Sequence, residues 1–499
     1  MAAMTQTDSY LLALYDISGI QEYIFATNRM KENVGASRIV GDLMRSQLIK
    51  VLKEHESIKV DWQKDMEIEL FSNSEFQAEV VFIGGGNALV IYRDHNLCQK
   101  VFKEISIKLI EKSYTLTLIA ETLEFSYDKT TSYYPLYQEL QDKLARKKEE
   151  MVRPKPFGAL PISAQEHFGG FPITYKDNRS TIQALKEQAT ESIELEDIID
   201  PPPKKRWAVQ INDLKKSPGD DSYIAVIHID GNGMGEQMKR KLQNLDKNGL
   251  SFAEQVKGHR ELSLQISQGY KDLVQNVMKT ISFEKDILPI RPLIMDGDDL
   301  TFLCQADWAL PLVVEILKRM ESYSGDLSLS ACAGIAYVHG HFPFDIAYEI
   351  AEKCCKEAKK KRSQNGGQGS YIDFQLVRGS DVTARDVTGR PTNPNNAVLG
   401  RYRPYRVSEH EKNGVNTLIE CIKQLNEKGT ESEMRIPRTK QKLMYQAYLK
   451  GTEDAIKAAN ELLGSRGIGD FKETKPWLDA FELADYYEQN LFKSRVVQQ

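Results

Sequence analysis

Three aspartates stand where a phosphate-transfer site needs carboxylates. Asp230 ends the apolar run "SYIAVIHID", and Asp298 and Asp299 lie in the turn of "PLIMDGDDLTF". Hard divalent cations prefer carboxylate oxygens, and a pair of them neutralises a polyphosphate and lowers the pKa of an attacking hydroxyl. We therefore predict that Asp230, Asp298 and Asp299 are catalytic, and that with Gly231 they bind Mg²⁺ or Mn²⁺ in a two-metal site.

Glycines and lysines near these carboxylates predict a nucleotide site. Glycine lets the chain turn tightly and lets a phosphate approach backbone N–H groups. The lysines lie on a predicted helix and would meet a triphosphate if that helix crosses the same sheet edge. The residues predicted to bind nucleotide in this part of the chain are Asn232, Gly233, Asp296, Gly297, Lys359 and Lys360.

Each of these signals has a simpler interpretation when taken alone. An Asp-Gly-Asp-Asp turn is often a solvated hairpin tip, and an aspartate after a strand often caps a helix. A lysine-rich helix end often only complements the helix dipole. Their combination, flanked by buried-strand patterns, favours the metal site.

The elements that must position these residues occur twice. "LLALYDISGIQEYIF" and "SYIAVIHIDGNGMGEQM" share a strand, an aspartate and a glycine turn, and Asp16 and Asp230 are 214 positions apart. Each is followed by a glycine hairpin, "EVVFIGGGNALVIY" or "PLIMDGDDLTFLC", then by a helical stretch, an alternating strand and a helix with an early proline. This order predicts two β-helix-β-β-helix-β units, although two unrelated α+β domains with similar hairpins would give a comparable pattern.

The first copy lacks the turn carboxylates. Its hairpin has three glycines and Asn87 where the second has Asp296, Gly297, Asp298 and Asp299. It cannot hold metal ions in the same way, but a glycine turn can still cradle a nucleotide by its backbone. The residues predicted to bind a second nucleotide are Ser18, Gly19, Gly84, Gly85, Gly86 and Asn87. The alternative is a degenerate copy that only packs against the active one.

We predict an α+β protein with four segments. Residues 1–154 form the first, non-catalytic unit, and residues 155–220, with their proline- and acid-rich stretches, form an inserted loop and linker. Residues 221–376 form the catalytic unit. Residues 377–499 form a helical domain, with amphipathic stretches near 412–428, 437–463 and 476–492.

Composition excludes several classes of protein. The 499 residues are 41% hydrophobic and 27% charged, as in globular proteins, and the net charge of -5 argues against a surface that binds nucleic acid throughout. The six cysteines show no C-x-x-C spacing, which argues against a zinc ribbon and fits a reducing cytoplasm. The sequence shows no signal peptide and no run of about 18 apolar residues, so we expect no membrane span.

The motifs resemble a known family. "YDISGIQEYIF", "VGAS", "GGGNALV", "IDGNGMGE", "MDGDDLTF" and the segment "AGIAYVHGHFPFDIAYEIAEKCCKEAKK" are similar to the paired palm domains of the large polymerase-cyclase subunit of type III CRISPR effector complexes. The resemblance spans about residues 11–375. It implies two ferredoxin-like palm domains, more distantly similar to diguanylate and class III adenylyl cyclases, and synthesis of cyclic oligoadenylates from ATP at a Gly-Gly-Asp-Asp hairpin.

This chain departs from the family pattern at three points. Asp296 stands where the family usually has glycine, which puts nucleotide preference in question. No histidine is followed by aspartate, so the nuclease motif is missing, and the region "PISAQEHFGGFP" has no cysteine for a zinc ribbon. We therefore expect a reduced relative of the family, and the missing nuclease and zinc motifs favour a stand-alone enzyme.

Three functions remain open from the sequence. The leading hypothesis is a synthase of cyclic or linear oligonucleotides from ATP or another NTP, acting in antiviral defence. The second is a mononucleotide or dinucleotide cyclase. The third is a non-catalytic scaffold or sensor that binds nucleotides or RNA. Separately, the protein could act as a subunit of an RNA-guided complex, in which case we expect the helical end domain to bind small CRISPR-type partner subunits.

Overall fold

The computed structural model describes residues 9–492 with interruptions. The residues outside the description are 56, 85, 152–161, 168, 193–196, 217–221, 324–327, 380–384, 386, 388–401, 409–413, 427–436, 451–456 and 458–475, together with both termini. The chain divides into two compact units. The first comprises residues 1–200, 233–272 and 293–298, and the second comprises residues 201–232, 273–292 and 299–499.

The first unit is built on a five-stranded sheet. Its strands are β1 (Ser9–Ser18), β2 (Ile58–Lys59), β3 (Ala78–Gly84), β4 (Asn87–Tyr92) and β5 (Thr117–Ser126). They lie in the order β2-β3-β4-β1-β5, with β1 antiparallel to both β4 and β5. Strand β1 is an interior strand and almost wholly buried, which explains its continuous apolar sequence. Leaving aside β2, this is the ferredoxin-like order that the family resemblance implies.

Helices cover the first sheet. They are α1 (Ile20–Phe25), α2 (Met30–Asp42), α3 (Leu48–Lys53), α4 (His95–Ser113), α5 (Tyr133–Glu150), α6 (Thr181–Glu191), α7 (Met234–Lys247) and α8 (Phe252–Lys279), with a π-helical turn at Leu43–Gln47. Helix α2 crosses α6 closely at Gly35, where an added Cβ would lie only 1.7 Å from the Lys186 carbonyl oxygen. The fully buried Arg260 of α8 donates to Glu79 at 2.9 Å and to the Val80 carbonyl oxygen at 2.6 Å, which ties α8 to β3.

A six-stranded sheet is built mostly from residues of the second unit. Its strands are β7 (Tyr223–Gly231), β9 (Ile290–Asp296), β10 (Asp299–Gln305), β11 (Ala331–His339), β12 (Tyr371–Leu376) and β13 (Tyr405–Arg406). Two short strands, β6 (Arg206–Trp207) and β8 (Ile287–Leu288), form a separate two-stranded sheet. The order is β13-β12-β11-β7-β10-β9. The core β11-β7-β10-β9 repeats β5-β1-β4-β3 of the first sheet, so the predicted α+β duplication is present in the topology.

Five helices of the described chain complete this unit: α9 (Ala306–Glu321), α10 (Phe344–Gln364), α11 (Val415–Asn426), α12 (Arg438–Lys450) and α13 (Trp477–Leu483). Helix α10 packs on β7, β11 and β12. Helix α13 is held by the buried Arg403, which donates to Glu482 at 2.8 Å and lies 3.4 Å from Asp479. No described helix has the length and hydropathy needed to cross a membrane.

Two local predictions need correction. The sequence predicts loop and linker over residues 155–220, but this segment contains α6, whose start is fixed by a capping box between Ser180 and Gln183. In the stretch predicted to be helical at 476–492, the helix ends at Leu483. Farther along, Leu491 accepts a hydrogen bond from Ser282 and Phe492 forms a β-bridge with Ile281, so this end of the stretch is extended. Most of the stretch 451–463 lies outside the described residues, and the four-segment boundaries stay a prediction.

Candidate active site on the second sheet

Asp230 and Asp299 are cross-strand neighbours. Asp230 is near the end of β7, Asp299 begins β10, and the two are direct register partners in the antiparallel pair. Directly opposed residues have Cβ atoms about 5 Å apart on the same face of the sheet. Both side chains are partly exposed, so their negative charges face solvent together at one sheet edge.

Asp298 belongs to the turn that precedes Asp299. Strand β9 ends at Asp296, and Gly297 has a φ of 62°, a left-handed conformation that favours glycine. The turn therefore places two consecutive carboxylates at the start of β10. The roles predicted for Asp296 and Gly297 in nucleotide binding stay predictions.

Of the two predicted lysines, Lys359 contacts Asp230 and Lys360 does not. Lys359 forms an ion pair with Asp230 and donates to the Gly231 carbonyl oxygen at 3.1 Å. Burial would lower the pKa of Lys359, but the hydrogen bond and charge of Asp230 raise that pKa above its ordinary value. Lys360 is 65% exposed and its nearest described carboxylate is Glu357, at 3.9 Å. Only one of the two predicted lysines is therefore brought to the carboxylates.

Gly334 permits the close approach of α10. It lies on β11 opposite His228, and a Cβ there would lie 1.9 Å from the Ala351 carbonyl oxygen and 2.5 Å from the Cys355 nitrogen. Because no side chain intervenes, α10 rests directly on the sheet. Sequence reasoning missed this residue, although a glycine inside the apolar strand "ACAGIAYV" is a signal for close backbone approach.

His228 and Cys355 are two further polar groups beside Asp230. The Nδ1 atom of His228 lies 3.1 Å from the Thr301 hydroxyl, and its ring meets Tyr348 edge to face at 5.6 Å. Burial lowers the pKa of His228. Cys355 donates to the Cys332 carbonyl oxygen at 3.2 Å, and burial raises the pKa of its thiol.

These two residues were missed by sequence reasoning. His228 is two positions before Asp230, so it shares a face of β7 with it, and Cys355 is four positions before Lys359 on α10. Both spacings are visible in the sequence, but they gain meaning only once α10 is known to lie on that face.

Asn232 forms hydrogen bonds within the protein. Its side chain is buried and donates to the Ser330 hydroxyl at 3.2 Å and to the Gly369 carbonyl oxygen at 3.3 Å. These bonds tie the end of β7 to the segments that precede β11 and β12, and the nucleotide contact predicted for Asn232 stays a prediction. Gly233 follows with a φ of 67° and precedes α7.

The first sheet repeats this geometry without the second carboxylate. Asp16 is the register partner of Asn87, as Asp230 is of Asp299, and Lys148 lies 2.8 Å from Asp16. Burial raises the pKa of Asp16, and Lys148 opposes this shift. The aspartate–lysine pair is therefore duplicated, but only the second sheet opposes two aspartates.

A cavity of about 300 Å³ in the first unit is lined in part by predicted nucleotide-binding glycines. Gly84, Gly86 and Gly297 contribute to its wall. Its volume falls at the lower end of the range for small-molecule sites. Ser18 ends β1 and Gly19 precedes α1 with a φ of 84°, while Gly85 lies outside the described residues.

The donor set fits a hard divalent cation. Asp230 and Asp299 supply carboxylate oxygens from adjacent strands, and Asp298 is next in sequence. Oxygen ligands with partial solvent access suit Mg²⁺, which usually keeps several water ligands and also binds substrate phosphates. The residues present are therefore compatible with the predicted Mg²⁺ or Mn²⁺ site.

The strand order and the opposed carboxylates place the second unit in the class of palm-type α+β domains. Residues 223–367 match the family model of the Cas10/Cmr2 second palm domain. This part of the chain is therefore similar to that palm domain, which confirms the predicted resemblance to the polymerase-cyclase subunits. A search of curated proteins gives no match.

Solved structures share the fold along nearly the whole chain. Csm1 from T. onnurineus is 15% identical with a TM-score of 0.55, and the alignment covers 96% of this chain and 70% of that one. The Csm1–Csm4 cassette in complex with cA3 is 13% identical with a TM-score of 0.57, and the alignment covers 97% and 71%. The cassette in complex with AMPPNP is 15% identical with a TM-score of 0.53, covering 96% and 70%.

Proposed function

We propose that this protein is a nucleotidyltransferase that joins nucleotides from ATP into cyclic or linear oligonucleotides in antiviral defence. The observation that carries the proposal is the direct register of Asp230 and Asp299 on neighbouring strands. The match of residues 223–367 to the Cas10/Cmr2 second palm domain supports it. Similar structures contain Csm1–Csm4 with AMPPNP, pppApA, cA3 and cA4, which supports ATP as substrate and oligoadenylates as products.

In the proposed reaction, a 3'-hydroxyl of one nucleotide forms a bond to the α-phosphorus of another. The bond from that phosphorus to the β-phosphate oxygen breaks, pyrophosphate leaves and the hydroxyl proton passes to solvent. Mg²⁺ or Mn²⁺, when bound, supplies positive charge that offsets the polyphosphate and favours the ionised hydroxyl.

The residues of the chain orient this reaction. Asp230, Asp298 and Asp299 provide the carboxylate edge, and Lys359 holds the Asp230 carboxylate in one position. The turn at Gly297, with a φ of 62°, is of the kind whose backbone N–H groups can bind phosphate oxygens. Lys360, being exposed, is available to meet the phosphate chain from solvent.

The decisive experiment compares matched variants of the two sheets. The purified protein is incubated with each NTP and Mg²⁺ or Mn²⁺, and pyrophosphate and product masses are measured. We expect Asp299→Asn to reduce pyrophosphate release by about 10²–10³-fold, as for loss of one electrostatic group at a reacting centre. Asp16→Asn, the matched change on the first sheet, should retain most of the activity.

The outcomes separate the alternatives. Equal loss in Asp16→Asn and Asp299→Asn would contradict the assignment of chemistry to the second sheet. A product mass of a cyclic mononucleotide or dinucleotide would favour the simpler cyclase. An antiviral effect that survives the double change of Asp298 and Asp299 to alanine would favour a non-catalytic scaffold.

An assembly with RNA and a small subunit is a second part of the proposal. The observation that favours it is the similarity to Csm1 in the Csm1–Csm4 cassette along 96% of this chain. We expect a Csm4-like subunit and RNA to copurify with the protein from its native cell. Purification of an active protein free of both would instead support a stand-alone enzyme.

A further inference from the structure

A mixed set of potential metal ligands surrounds Asp230. Ligand atoms of His228, Asp230 and Cys355 all lie within 4.8 Å of one another. In a tetrahedral zinc site with bonds of about 2.0–2.3 Å, ligand atoms are roughly 3.3–3.8 Å apart. Side-chain shifts on the order of 1 Å would therefore close the three residues around one ion.

The chemistry of this set differs from that of the carboxylate pair. A thiolate and an imidazole suit Zn²⁺ and other borderline-soft ions, whereas Mg²⁺ prefers oxygen ligands. Three protein ligands with one open position are also the usual composition of an accessible zinc site. Asp230 is common to both sets, so one carboxylate can serve either a hard or a softer ion.

The surroundings fix the set in place. The Nδ1 atom of His228 lies within hydrogen-bond distance of the Thr301 hydroxyl. In the tautomer in which Nδ1–H donates to that hydroxyl, Nε2 keeps the lone pair that an ion needs, and such a bond orients a ligating imidazole. Gly334 lets α10 lie close enough to bring Cys355 to the sheet. Asp230 is the partly exposed member of the set and gives an ion access from solvent.

We propose that His228, Asp230 and Cys355 form a binding site for Zn²⁺ or a similar ion, and that occupancy of this site inhibits the enzyme by withdrawing Asp230 from the Mg²⁺ site. The binding step stands on the three ligands alone. The inhibitory step rests on the proposed function, since it requires a Mg²⁺-dependent reaction. The ion must also compete with Lys359, which pairs with Asp230.

Cobalt reports the binding step directly, because a thiolate bound to Co²⁺ gives a charge-transfer absorption band in the near ultraviolet. We expect the full-length protein to develop this band with one equivalent of Co²⁺ and to lose it on addition of Zn²⁺. Cys355→Ser should abolish the band. Cys354→Ser is the matched control, because Cys354 is the preceding residue of α10 and is equally buried, and it should keep the band.

A second variant guards against misfolding of the first. His228→Gln retains a polar side chain and should weaken Co²⁺ binding while circular dichroism stays that of the wild type. Absence of the band in the wild type, or its persistence in Cys355→Ser, would overturn the site.

Inhibition is measured separately as pyrophosphate release in Mg²⁺ with increasing Zn²⁺. We expect Zn²⁺ to inhibit the wild type and Cys354→Ser at concentrations that leave Cys355→Ser active. Equal inhibition of all three would overturn the inhibitory role. A cobalt band without any pyrophosphate release would support the metal site and contradict the proposed function, so the two failures are distinguishable.

Discussion

Replacing Gly334 by alanine should move α10 away from the second sheet. The added Cβ would lie 1.9 Å from the Ala351 carbonyl oxygen and 2.5 Å from the Cys355 nitrogen, whereas real Cβ contacts essentially never fall below 3.0 Å. Both obstacles are backbone atoms, so no side-chain rotation relieves the overlap. The helix must therefore retreat by roughly 1 Å, or the strand must bend, as overpacked cores do.

The consequence for stability follows from overpacking. Inserting a methyl group into a closely packed core costs about 1–3 kcal/mol of unfolding free energy. The consequence for activity follows from Lys359 and Cys355, which α10 carries toward Asp230. Misplacement of about 1 Å at a reacting centre can reduce the rate by on the order of 10²-fold.

The assay combines urea unfolding with pyrophosphate release per folded molecule. Gly35→Ala is the matched control, because its Cβ would lie 1.7 Å from the Lys186 carbonyl oxygen at another helix contact, in the first unit. We expect both variants to lose stability and only Gly334→Ala to lose most of its rate. A wild-type unfolding midpoint for Gly334→Ala would refute the close-approach reasoning, and equal rate loss in both variants would refute its link to the site.

Two stability predictions test buried charges. Burial lowers the pKa of Lys186 to about 8 from an ordinary value of 10.5, so the unfolded chain binds more protons between these pH values and stability should rise with pH there. In urea unfolding, the unfolding free energy of the wild type minus that of Lys186→Met should increase with pH by at most about 1.4 kcal/mol per pH unit. A difference that does not change with pH would contradict the burial effect. Arg403→Met leaves Asp479 and Glu482 buried without their cation and should cost about 3–5 kcal/mol. Arg240→Met, at an exposed pair, should change stability by less than about 1 kcal/mol, and equal effects of the two arginine changes would refute the distinction.

The strands and turns around the candidate site were predictable because their signals are local. Apolar runs of strand length, the glycine turn before Asp299 and the prolines near two helix starts all act within a few residues. The duplication was also visible, since landmarks such as Asp16 and Asp230 keep a nearly constant offset. The capping box of α6 is equally local, but it lies inside a segment whose many turn formers favour a loop.

By itself, the sequence determined which residue types are available for chemistry and in which order the elements follow. Tertiary structure decided which of them meet. Register alone makes Asp299 the direct neighbour of Asp230, because a shift of one residue would turn the side chain to the other face. The choice of Lys359 over Lys360, and the recruitment of His228 and Cys355, depend on how closely and at what rotation α10 lies on the sheet. That contact is made by residues far apart in the chain, Gly334 and Ala351 among them, and no local pattern specifies its geometry.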